Sequence, residues 1–60
     1  MEIDIRNVYL REGQINFGKG PYKHWVEFEL NHIPCSTEKF DTRERALEAV
    51  LVVKGWTILK

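Results

Sequence analysis

The sequence predicts an α+β fold: a small antiparallel sheet of three to four strands, followed by one C-terminal helix packed on one of its faces. Three observations lead there. Residues 22–30 alternate apolar and polar at the period of a strand. Glycine, proline and asparagine divide the first two thirds of the chain into strand-sized pieces. After Asp41, apolar residues recur at helical spacing.

The elements follow in order. Ile3 and Ile5 alternate in one phase and Val8 and Leu10 in the other, so a bulge or bend near Arg6-Asn7 is needed to bring both pairs to one face. Arg11-Glu12-Gly13-Gln14 reads as a tight turn leading into a short strand with Ile15 and Phe17. Gly18-Lys19-Gly20-Pro21 is the strongest break, because the glycines permit positive φ and the proline cannot donate to a ladder. In the strand that follows, Tyr22, His24, Val26, Phe28 and Leu30 form the core face, while Lys23, Trp25, Glu27 and Glu29 point the other way. Asn31-His32 turns the chain, and Ile33–Lys39 forms a further strand placed near an edge by Pro34.

Asp41 is expected to cap the helix, with Glu44 answering as in a capping box, and Gly55 to end it, giving a helix of about Thr42–Lys54. Ala46, Leu47, Val50, Leu51 and Val53 form its apolar stripe. Ala49 widens that stripe, and Val52 emerges beside Glu44, Arg45 and Glu48 on the expected wet face. Trp56–Lys60 has the length of a short final strand. The β-branched residues leave a competing reading in which Val50–Leu59 is one long strand.

A chain of 60 residues supports a single domain and buries only about 60% of its unfolded surface, so reinforcement by a partner or a second copy is expected. Cys35 is the only cysteine, which excludes an internal disulfide and suits a reducing, cytoplasmic compartment. No apolar run reaches the roughly 20 residues that span a bilayer. Nine basic and nine acidic residues cancel, leaving no overall field to attract or imitate a polyanion. A reading frame this short fits an accessory protein of a phage or mobile element.

His24, His32 and Cys35 match no zinc spacing, so no metal or other cofactor is expected. Cys35, His32 and Asp41 supply the residue types of a cysteine nucleophile, but a scaffold this small offers little to enclose a pocket. The function expected is therefore non-enzymatic: a protein-interaction module, acting as a small regulator or inhibitor, that docks on a larger protein and forms a homodimer. Trp25, Val52, Glu48 and Arg45 are its candidate binding residues, the tryptophan because isolated surface aromatics anchor interfaces. The alternative is nucleic-acid binding through Lys19, Tyr22, Lys23 and Arg43, with aromatic stacking on bases.

Strands with an aromatic near the start of the third, then Phe40-Asp41-Thr42-Arg43-Glu44-Arg45-Ala46 and a helix, make an arrangement over Trp25–Val53 that resembles the three-stranded-sheet-plus-helix DNA-binding domains of some integrases. The resemblance implies a sheet whose basic outer face enters the major groove. Here Glu27 and Glu29 occupy that face.

Overall fold

The computed structural model describes residues 3–56. Strands β1 (Ile5–Gln14), β2 (Tyr22–Leu30) and β3 (Ile33–Ser36) form an antiparallel meander in the order β1-β2-β3, and helix α1 (Arg43–Trp56) packs across β1 and β2. This is the α+β architecture expected from the sequence.

The anticipated phase change in β1 is a bulge. Arg6 pairs with Glu29 and Tyr9 with Glu27, so Asn7 and Val8 together oppose Phe28. Asn7 carries the left-handed conformation, φ 54°, that asparagine tolerates better than most residues. Because one residue is absorbed there, Ile5, Val8 and Leu10 all pack on the cluster of Val26, Phe28 and Val53.

Arg11–Gln14 does not turn. These residues continue β1, pairing with Trp25, His24, Lys23 and Tyr22 in succession. The chain reverses over residues 15–21, where Asn16, Phe17 and Gly18 have φ of 56°, 56° and 83°. Ile15 donates to the Pro21 carbonyl at 3.3 Å and Gly20 donates to the Ile15 carbonyl at 2.9 Å. A side chain at Gly20 would bring Cβ within 2.8 Å of Ile15 Cγ1 and 3.0 Å of its carbonyl oxygen, so closing this loop requires glycine. Ile15 and Phe17 alternate like a strand in sequence, yet Phe17 stands fully exposed in the loop.

Asn31 and His32, with φ of 51° and 70°, form a two-residue turn between the paired residues Leu30 and Ile33, the geometry of a type I′ hairpin. Asn31 also exchanges bonds with Asp4: its amide donates to the Asp4 carbonyl, and its side-chain oxygen accepts from the Asp4 amide, both at 2.8 Å.

β3 stops at Ser36, short of the expected Lys39. The Val26 amide donates to Thr37 Oγ1 at 3.0 Å, a hydroxyl standing where a ladder carbonyl would be, and Phe40 resumes pairing by exchanging backbone bonds with His24. Between these contacts the edge chain has one more residue than β2, which absorbs a second bulge.

The helix differs from expectation at both ends. Thr42 is the N-cap, its Oγ1 accepting from the Arg45 amide at 3.3 Å. Asp41 is instead ion-paired with Lys23. Gly55 lies inside α1, which continues through Trp56; this excludes a strand over residues 50–56, and residues 57–60 of the expected final strand lie outside the described residues. The arc against the sheet is Ala46 and Val53, both buried, with Ala49 and Val50 partly buried, while Leu47 and Leu51, expected in the core, are exposed. A single sheet layer covers a narrower arc than the helix's apolar stripe. Tyr22, assigned to the core face, is also exposed at the far end of β2.

The capping assignment is testable. Thr42→Ala is expected to cost about 1 kcal/mol in urea unfolding. Asp41→Ala should cost less, because an exposed ion pair contributes little. The reverse order would restore Asp41 as the cap.

Candidate functional site

Two surfaces carry the candidate residues, one on each side of the sheet. On the helix side, a groove of about 310 Å³ runs between α1 and the Thr37–Phe40 segment. Arg45, Glu48 and Val52 fall along one side of α1 at helical spacing and line it, together with Thr37, Phe40 and Trp56. Val52 is 55% exposed and Trp56 36%, whereas Val53 beneath them is buried. Trp56 is held in place by an edge-to-face contact with Phe28, ring centroids 5.9 Å apart. The fold thus gathers three of the four candidate binding residues into one groove, and adds Phe40 and Trp56, which sequence reasoning had not assigned to it.

Trp25, the fourth, lies on the opposite, helix-free face. Its indole Nε1 donates to Glu27 Oε2 at 3.1 Å, Lys39 Nζ lies 5.0 Å from its ring centre, and Gly13 of β1 leaves room beside it. The cover is therefore Lys39 and the far end of β1; Trp56 is on the other side of the sheet. Arg11 completes the arrangement, donating to Glu27 Oε1 at 3.1 Å with its guanidinium 5.3 Å from the Tyr9 ring. A shallow trough of about 490 Å³ crosses this face, past Tyr9, Arg11, Glu27, Glu29 and Pro34. Asn7 donates to Glu29 at its border.

Glu27 accepts from both Trp25 and Arg11, and these bonds hold its carboxyl below the usual glutamate range, the indole bond first, with partial desolvation opposing and Arg11 adding to the effect. Lys23 lowers Asp41 in the same way. Loss of hydration, then the hydrogen bond and charge of Glu12, raise the Tyr22 hydroxyl.

The residues of the nucleic-acid alternative are dispersed. Lys19 lies in the β1–β2 loop, Arg43 opens α1, and Tyr22 and Lys23 project to opposite faces of β2. Lys23 is already engaged by Asp41. The open face does interleave Tyr9 with Arg11 and Trp25 with Lys39, but Glu27 and Glu29 lie among them.

His32 Nε2 is 3.8 Å from Asp4, His24 Nδ1 is 3.6 Å from Glu12, and Cys35 Sγ approaches the Ile33 carbonyl at 3.5 Å. Among the described residues, no three of His, Cys, Asp and Glu converge as a metal site. Among the described residues, no helix is long and apolar enough to cross a membrane.

No family model, curated protein or solved structure matches this chain.

The Glu27 contacts give a measurable sign. Its lowered carboxyl contributes stability that is present above the ordinary value of 4.5 and is lost as pH falls through the folded-state value. Trp25→Phe removes the indole donor, so the Glu27 titration followed by carboxyl NMR should move up toward 4.5. An unmoved titration would mean that the indole does not hold the carboxylate.

Proposed function

We propose that this chain is a non-enzymatic protein-binding module, a small regulator or inhibitor that docks on a larger protein through the groove between α1 and Thr37–Phe40. The observation that carries the reading is an apolar floor with charged margins: Phe40, Val52 and Trp56 together, bordered by Arg45 and Glu48. An aliphatic or aromatic side chain of a partner would exchange water for these surfaces, while Arg45 and Glu48 give polar partners at the rim. The formal charge of zero favours recognition by shape and apolar contact over long-range attraction.

Val52 is the position at which to test this, because its exposure lets it change without emptying the core. A photo-crosslinking residue at position 52 is expected to capture one protein that the same residue at Lys19, exposed in the β1–β2 loop, does not. The purified pair should then lose about tenfold or more in affinity with Val52→Glu, since the carboxylate would be desolvated against apolar surface. An unchanged circular dichroism spectrum keeps the comparison valid. Equal capture at both positions, or equal binding by the variant, would rule out the groove.

Nucleic-acid binding stays as a second reading because Arg11 and Lys39 lie against Tyr9 and Trp25 on the open face. It requires an affinity that falls steeply with salt.

A further inference from the structure

The two edges of the sheet are protected very differently. β3 is four residues long and includes Pro34, which has no N–H to offer a neighbouring strand. β1 is ten residues long, has no proline, and among the described residues forms the other edge.

The direction of its free groups follows from the ladder. Ile15 bonds toward Pro21 across the hairpin, so by alternation Gly13, Arg11 and Tyr9 also face β2. His24 and Val26 turn their backbone groups toward Phe40 and Thr37 on the other side of β2, in agreement with that alternation. The N–H and C=O groups of Val8, Leu10, Glu12 and Gln14 therefore point out of the sheet. Among the described residues none of them has a backbone partner outside the ladder.

The helix supplies the second observation. Its groove flank, carrying Arg45, Glu48 and Val52, faces Thr37 and Phe40 on the β3 side. At about 100° per residue, Leu47 lies on the opposite flank, on the β1 side, and Leu51 lies beside it, nearer the outer face of the helix. They are 38% and 71% exposed. A free strand edge and an apolar helix flank thus lie on the same side of the molecule.

We propose that this side is a homodimer interface, in which β1 pairs antiparallel with β1 of a second copy and the Leu47–Leu51 flanks of the two helices meet above the joined sheet. The charges of β1 narrow the registers in which a second copy can pair with it. Pairing centred on Arg11 or on Glu12 would set like charges directly opposite each other. Pairing centred on Leu10 sets Leu10 against itself, Tyr9 against Arg11 of the other copy, and Val8 against Glu12, with no like-charge pair among them. Tyr9 and Arg11 already associate within one chain, so the pairing across the two-fold axis repeats a favourable contact. Leu10 faces the helix side, so its symmetric contact continues into the Leu47 and Leu51 flanks. Among the described residues, only Val26, Phe28, Ala46 and Val53 form the buried core, and a dimer would extend that small core across two chains.

Sedimentation equilibrium of the full chain from micromolar to millimolar concentration, paired with amide hydrogen exchange, tests this. A reversible dimer is expected, with the Leu10 and Glu12 amides gaining protection as concentration rises. Leu51→Lys should weaken association by about tenfold or more with an unchanged circular dichroism spectrum. Val52→Glu, on the groove flank, should leave it unchanged, which separates this interface from the docking groove. A monomer at every concentration would overturn the proposal, as would a dimer in which the Leu10 and Glu12 amides stay unprotected or which Leu51→Lys does not affect.

Discussion

The bulge at Asn7-Val8 is the constraint on which the rest of the structure depends. A strand presents alternate residues to one face, so Ile5 cannot share a face with Val8 and Leu10 unless one residue is taken out of the alternation. Asn7 is that residue. With it absorbed, three aliphatic side chains of β1 join Val26 and Phe28 of β2 in a single apolar surface, and α1 has something to cover. Everything distinctive about the two sides of the helix follows from where that surface lies, over β1 and β2 and not over β3.

Because the helix sits over only two strands, the segment after β3 has to approach it from the side. Thr37 and Phe40 do so while still bonded to β2, and the space left between them and α1 is the docking groove. The opposite flank overlooks a strand edge. The helix's apolar circumference is wider than one sheet layer can cover, and the excess divides between the two flanks: Val52 and Trp56 on one, Leu47 and Leu51 on the other. The helix-free face behaves differently. Its aromatic and charged residues largely satisfy one another, with Glu27 serving Trp25 and Arg11, Lys39 over the indole and Asn7 on Glu29. Trp25, the most conspicuous candidate in the sequence, is already engaged by its neighbours.

What was legible in the sequence was whatever depends on neighbours along the chain. The alternation of β2, the Asn31-His32 turn and the need for a bulge near Arg6-Asn7 all follow from local stereochemistry. What was not legible depended on pairing across the chain. Arg11–Gln14 has the composition of a turn, but its pairing with Tyr22–Trp25 extends the hairpin and moves the reversal to residues 15–21. Asp41 is as good a cap by type as Thr42, and Lys23, distant in sequence, diverts it. Helical spacing identified an apolar stripe but could not say which arc the sheet would cover, so Leu47 and Leu51 were expected inside. The same limit applied to the candidate site: Arg45, Glu48 and Val52 came from the helix alone, whereas Phe40 reached the groove through its bridge to His24.

The most direct test of this account is the stability of a chain lacking Asn7, measured by equilibrium urea unfolding against the full sequence. If Asn7 is the residue absorbed by the bulge, its deletion restores simple alternation: Ile5, Val8 and Leu10 stay on the helix face, and Arg6 and Tyr9 keep their partners Glu29 and Glu27. Stability should then change by no more than about 1 kcal/mol. If the bulge is instead set elsewhere and persists in the shortened strand, the deletion turns Ile5 out of the apolar cluster. A loss of roughly 1.5–3 kcal/mol, the cost of exposing such a side chain, would contradict the account.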